Sequence, residues 1–548
     1  MSEVAKQWWP STLYEAPEKT IEPLHIVWIN KSGDTDPYVT VTLADTLQYS
    51  YDKVNWVNAS SANISGNQMD GGSQYHVYIR RRPDLAPTTA LFYSKWERNR
   101  WDIAGGQAHI SGNIMSLLGQ DEEVGNYAFT QLFYQNSNLI DASGLEMSVT
   151  KLGGYCYLGM FAGCTALTAA PALPATALPK YCYNEMFNGC TALTTAPALP
   201  AATLNENCCN SMFAGCTALT AAPALPATTL AYGCYASMFS DCTSLTVAPA
   251  LPATTLTEYC YVSMFAGCTA LTDVPALPAT TLAINCCSTM FAGCTSLTNV
   301  PDDMLPATAL TVQCYSSMFA NCTALTAAPA LPATALAARC YSNMFNGCTS
   351  LTDVPGLPAM ALAPQCYGGM FAGCTSLTSI HVGLLPARTL ANLCYFNMFN
   401  GCTALTNVPE LPATTMVESC YKSMFNGCTS LTSIRQLPEQ ATPTTVMAES
   451  CWESMFENCS SINDLVTIHA TVLATRCCRR MFQSCGKLTQ VAFRLATDIS
   501  ATDALTDCLK DTAVGTTGML YVKDSTFSEW QAKQTAGVIP NNWSIQPI

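Results

Sequence analysis

CYNEMFNGCTALTTAPALPAATLNEN, residues 182–207, is a 26-residue unit that the chain repeats along most of its length. Its two cysteines, Cys182 and Cys190, stand eight apart, and the same pair returns thirteen times between Cys156 and Cys485, which accounts for 26 of the 30 cysteines. Successive units begin 26 residues apart, with two intervals of 28 and one of 31. A period of this length marks a solenoid, in which each unit touches only its neighbours. A unit copied this often points to work done by a surface, since it offers no natural place for a single catalytic constellation.

Within the unit the hydrophobic period changes. Cys182, Met186 and Cys190 are four apart with Phe187 beside them, a spacing that predicts one apolar face of a short helix. In Leu193-Thr194-Thr195-Ala196 a leucine and a small residue bracket two outward positions before Pro197, which predicts a short strand with little ladder pairing. Leu199 and Leu204 then return to the interior. A lone unit buries too little apolar surface to offset the ordering of its backbone, so stacking is obligatory. The extra residues of the longer units fall at PDDMLP (301–306), HVGLLP (381–386) and QLPEQATPTTV (436–446), all in the connection after the strand.

The flanks read differently. Residues 1–23 form an irregular leader. Residues 24–107 hold short β-branched and aromatic runs (HIVWIN, YVTVTL, LQYSYD, QYHVYIR, ALFYSKW, RWDI) between turn residues, the pattern of a small all-β sandwich-like domain. Residues 108–155 make a connector and a cap repeat, in which Leu132 and Phe133 take the Met-Phe place and Asn136 the second cysteine. The regular solenoid is expected over 156–510, and 511–548 reads as a cap over its open edge.

The recurring FxxCxxLTxx, followed by a proline-marked turn and another leucine, resembles the BspA-like class of leucine-rich repeats. The resemblance spans residues of about 127–510. It implies an α/β solenoid of strand-loop-helix units, a buried place for Cys164 and its equivalents, and a role in adhesion or surface recognition. The units here depart from the family pattern in being about three residues longer and in carrying CYxxMF where GxxAF is usual. The front segment, with YSYDKVNW and SGNIMSLL, looks like the β-rich leader of such repeats in gut anaerobes and their phages.

Composition narrows the partners. The net charge is -14, and only Arg80, Arg81 and Arg82 form a basic run, read as a solvated strand edge, so no nucleic acid partner is expected. No apolar stretch suits a secretory signal or a membrane span, which predicts synthesis in the cytosol and no membrane insertion. Thirty thiols in a reducing compartment should stay reduced and buried. Inter-repeat disulfides and metal are lesser alternatives, zinc being disfavoured because none of the five histidines sits at a repeated position. Motifs for nucleotide binding, HExxH and GxSxG are absent from the sequence, and no enzyme or cofactor is expected.

Three columns could carry function. Thr165 and its equivalents and Thr168, Thr194 and theirs form two threonine ladders, read first as polar strand residues and second as a hydroxyl-lined surface for glycans. The next position varies: Ala169, Thr195, Ala221, Val247, Asp273, Asn299, Ala327, Asp353, Ser379, Asn407 and Ser433. A constant core beneath one varying outward column is the pattern of a tuned recognition face, and unconstrained drift predicts the same variation. The candidate ligand-binding residues, expected on a concave face, are Asp273, Asn299, Asp353, Asn407, Thr168 and Thr194. Asp302 and Asp303 are too few for a calcium loop. The expected role is a phage tail-fibre or decoration subunit that contacts bacterial surface glycan or protein, with the N-terminal domain docking on other virion proteins. The alternatives are a cell-surface adhesin and an intracellular scaffold.

Overall fold

Residues 24–29 alternate buried Leu24, Ile26 and Trp28 with half-buried His25, Val27 and Ile29, and they form the strand around which the N-terminal layer is built. The computed structural model describes residues 21–29, 35–69, 73–89, 100–381, 383–413, 415–434 and 447–548. The leader up to residue 20, the run ALFYSKW (90–96) and the connection 436–446 lie outside the described residues.

The N-terminal layer consists of β1 (Leu24–Ile29), β2 (Tyr38–Thr40), β3 (Leu47–Ser50), β4 (Val57–Asn58), β5 (Asn63–Ser65), β6 (Asn67–Gln68), β7 (Gln74–Arg81), β8 (Asp102–Ala104), β9 (Gln107–Asn113) and β10 (Leu139–Glu146). One sheet has the order β10-β9-β1-β7-β3-β4, with β6 also on β7, and a second has β5-β2-β8. All pairs are antiparallel except β9 with β10, which is parallel and continues through the bridge Asp141–Ala169 into the first regular unit. The sandwich sheet therefore runs directly into the solenoid. Asn136, which stands where a cysteine would, fastens this joint. Its Nδ2 donates to the Trp101 carbonyl (2.6 Å) and its Oδ1 accepts from the Ile103 amide (2.8 Å).

The expected helix of each unit is not there, and the α/β assignment is corrected accordingly. From Tyr181 to Cys190 the chain is a ribbon of linked turns in which every fourth residue is left-handed: Tyr181, Glu185 and Gly189 have φ of 57°, 56° and 72°. Its amides alternate. Those of Tyr183, Glu185 and Phe187 donate to the Cys208, Asn210 and Met212 carbonyls of the next unit, and those of Asn184, Met186 and Asn188 close turns onto residues three back. The physical reason lies in the stacking distance. One phenylalanine per unit, from Phe133 to Phe482, stacks on the next with ring centroids 5.4–5.9 Å apart. Helices need about 8–10 Å between axes, whereas strands repeat at about 4.8 Å. At this rise only a flat ribbon that shares hydrogen bonds with both neighbours fits.

Two further columns complete each turn of the solenoid. The segment after the second cysteine pairs through single bridges such as Thr195–Ala221 and Val247–Asp273. The segment before the next unit pairs through β11 (Ala177–Leu178) with β12 (Thr203–Leu204) and through bridges such as Thr255–Thr281. Inside, Cys182, Tyr183, Met186, Phe187, Cys190, Leu193, Leu199 and Ala201 are all buried, and their equivalents repeat this core. Beyond the thirteen regular units, the same ribbon recurs at 127–136 and at 503–512, where Asp503, Asp507 and Asp511 hold the left-handed places.

The solenoid closes on a four-stranded parallel sheet of β13 (Val466–Thr467), β14 (Gln490–Phe493), β15 (Gly518–Val522) and β16 (Trp543–Pro547). Helix α1 (Phe527–Thr535) lies between the last two strands in sequence and sets Trp530 against Phe493 at 4.9 Å. In the last ribbon the amides of Asp503, Leu505, Asp507, Leu509 and Asp511 point to the open end and meet no acceptor among the described residues. Three aspartates along this row of donors place negative charge where the backbone dipoles are positive.

Candidate functional site

All thirty cysteines are buried and unpaired. The second cysteine of each unit gives its thiol proton to the preceding unit's phenylalanine carbonyl, as in Cys190 Sγ to Phe161 O (3.2 Å) and Cys216 Sγ to Phe187 O (3.1 Å). Burial pushes the thiols of Cys164 and Cys216 up to about 12, so neither is a thiolate nucleophile at neutral pH. The native chain is expected to leave these thiols unreacted with a thiol-exchange reagent for many minutes and to expose all thirty on denaturation. A thiol titration with and without guanidinium reads this directly, and rapid native labelling of several cysteines per chain contradicts the buried ladder.

The histidines, scattered in sequence, are partly gathered in space. His25 on β1 stacks on Tyr78 (4.1 Å) and lies 5.7 Å from His76 on β7. Burial is the main reason that His25 falls to about 4. No group of three or more His, Cys, Asp or Glu side chains placed to hold a metal ion occurs among the described residues. None of their helices is long and apolar enough to cross a membrane.

The threonine ladders are tied to the backbone. Thr168 Oγ1 donates to Ile140 O (2.8 Å), Thr220 Oγ1 to Thr194 O (3.4 Å) and Thr272 Oγ1 to Thr246 O (3.4 Å). The outer ladder does the same, with Thr191 Oγ1 on Thr165 O at 3.2 Å. These hydroxyls thus spend their protons on the unit before. Thr168 and Thr194 form part of an exposed rung whose first duty is to join units.

Beside this rung runs the varying column. Leu271 and Val274 are buried while Thr272 and Asp273 between them are both exposed, so two outward columns lie side by side. Asp273 borders Val247 across a parallel bridge and makes no hydrogen bond or ion pair with a described side chain. Asn299 Nδ2 reaches only Thr298 Oγ1 (3.3 Å), and Asp353 Oδ1 accepts from the Val354 amide (2.8 Å). Asn407 differs. Its side-chain amide accepts from Ile380 N (3.1 Å) and donates to Ile380 O (3.0 Å), just before the HVGLLP bulge. That clamp assigns Asn407 to architecture.

One surface feature was invisible to sequence spacing. Tyr127, Tyr155 and Tyr181, each left-handed and half-buried, stack with centroids 4.8 and 4.7 Å apart along the outer edge of the first ribbons. Their alignment depends on a ribbon that the helix reading did not contain.

Compared with known families, residues 258–383 and 367–510 match the BspA type leucine rich repeat region, in six copies. Neither a curated protein nor a solved structure matches the chain.

Proposed function

We propose that this chain, which carries BspA-type leucine-rich repeats over residues 258–510, is a non-enzymatic recognition protein that contacts its partner through the column of Asp273, Asn299 and Asp353 and the threonine rung beside it. The observation that carries the reading is the contrast between a core that repeats without change and one exposed column, flanked by fixed threonines, that changes from unit to unit. Flat, rigid and polar, such a face suits glycan hydroxyls or a protein surface, where a few fixed donors and acceptors select a partner without reorganising. Asp273 and Asn299 stand in adjacent units and Asp353 two units further along, so a ligand that touches all three must be extended.

Replacing Asp273, Asn299 and Asp353 together by alanine is expected to weaken adsorption to bacterial cell surfaces at least about tenfold, the worth of a few lost polar contacts. The melting temperature should stay within about 2 °C of the parent, because exposed positions contribute little to stability. Intact adsorption combined with lost stability in the same variant would make the column structural.

The setting of that surface forms part of the proposal. Thirty unpaired thiols suit a chain that folds in a reducing compartment, which favours a phage virion component, made in the host cytoplasm and presented on the particle, over an exported adhesin. The N-terminal layer is then the part that meets other virion proteins. Co-purification with particles supports this setting, and recovery only from cell envelopes replaces it with an adhesin.

A further inference from the structure

The basic run dismissed as a solvated strand edge lines a cavity. β7 ends at Arg81 and the chain turns at Arg82 and Pro83, so Arg80, Arg81 and Arg82, which alternate sides on a regular strand, all border the same space of about 510 Å³. Lys53 and Trp56 form its other side. In a chain of net charge -14, four cations around one opening need a reason.

The local acids pair with two of the four. Lys53 pairs with Glu22 (2.7 Å) and Arg82 with Asp84 (2.5 Å), but Arg80 and Arg81 have no carboxylate partner among the described residues. The Arg80 guanidinium lies 3.8 Å over the Trp56 ring, which fixes its plane. Among the described residues its one hydrogen bond is a long one from Nη2 to Gln48 Oε1 (3.4 Å), and its buried Nε has none. Arg81 gives its Nε–H to Ala86 O (3.0 Å), and neither of its Nη groups has a partner among the described residues. Two guanidinium groups, each held in place and each with unused donors, thus face one opening. A guanidinium fork matches the paired oxygens of an oxyanion, and removing unpaired charge from water is costly unless a counter-charge arrives. The volume lies within the range of about 300–1,000 Å³ usual for small-ligand sites.

We propose that this cavity binds a small ligand bearing an oxyanion, a phosphate, sulfate or carboxylate group, with Arg80 and Arg81 as the anchoring forks, Trp56 as the plate that orients Arg80, and Asp84 as an internal competitor for Arg82. The site lies in the N-terminal layer and does not rest on the solenoid column.

Calorimetric titration of the full chain at low salt, with inorganic pyrophosphate in one arm and glucuronic acid in the other, tests it. Saturable one-site binding of either probe is expected. Binding of pyrophosphate alone identifies a phosphate or sulfate site, and binding of the uronate alone identifies an acidic sugar. Arg81→Gln, which keeps the Arg80–Trp56 stack, is expected to lower affinity about tenfold or more at unchanged melting temperature. Asp84→Asn is expected to raise affinity by releasing Arg82, and its opposite sign cannot arise from misfolding. Failure of both probes to bind, or affinities that neither substitution moves, overturns the proposal.

Discussion

Leu271→Asp is expected to unfold the middle of the solenoid. Leu271 is fully buried at the entry to the bridge segment, between Cys268 and the exposed pair Thr272 and Asp273. A carboxylate placed there has no cation within the core, because the buried side chains of the Cys234, Cys260 and Cys286 units are Cys, Tyr, Met, Phe, Leu, Val and Ala. Leaving such a charge unpaired costs several kcal/mol, on the order of 4–5 or more. In a one-dimensional stack the damage spreads to the neighbours that share the core. Hydrogen exchange should show loss of protection in the Cys260 unit and the units on either side, with the N-terminal layer still protected. The adjacent Asp273→Ala is the control, expected to be near neutral. Two positions two residues apart with opposite outcomes separate core from surface, and equal effects at both contradict the burial pattern.

Ser237→Pro has the next largest expected effect, and its partner Ser237→Gly decides the fold of the ribbon by sign. Ser237 is left-handed, with φ of 52°, and its amide donates to Val262 O of the next unit at 2.8 Å. Proline fixes φ near -65° and removes that donor, so the variant loses both a conformation and an inter-unit bond, a cost of about 3 kcal/mol or more. Glycine relieves the crowding that a side chain meets in the left-handed region, for an expected gain of about 0.5–1 kcal/mol. Were the segment helical, glycine would instead cost up to about 1 kcal/mol. Chemical denaturation midpoints of the two variants read the difference, and a destabilised Ser237→Gly would return the segment to a helix.

The fixed columns were legible because the same residue types recur at the same offsets: Leu193 and its equivalents inward, Thr191 and Thr194 and theirs outward, Asn136 as the irregular first unit. The turn ribbon was not. Four-residue spacing of Cys182, Met186 and Cys190 marks one face of a helix, and it equally marks a chain whose direction repeats every four residues through a left-handed turn. A clue was present in the glycine before many of the second cysteines, such as Gly189 and Gly215, whose φ is 72° in both. Nine residues are in any case short for a helix, which is marginal below about 12–15.

At the candidate site the sequence singled out the varying column without being able to rank its members. Asp273, Asn299, Asp353 and Asn407 are alike as letters. Only the folded chain, which sets Asn407 beside the Ile380 backbone just before the bulge at 381–386, makes it a backbone clamp. The basic cavity was misread for a related reason. Strict alternation along a strand turns Arg81 away from Arg80 and Arg82, yet at the end of β7 all three line one cavity.

By itself the sequence determined the repeat, its period and the inward residues, because these follow from composition and spacing that each unit carries locally. The tertiary structure decided the ribbon in place of the helix, the joining of the N-terminal sheet to the solenoid through β9 and β10, and the gathering of Lys53, Trp56 and Arg80–Arg82 around one cavity. Each of those depends on the distance between chain segments far apart in sequence. The 5.4–5.9 Å stacking of one unit on the next, which no single unit encodes, is the distance that selects the backbone of them all.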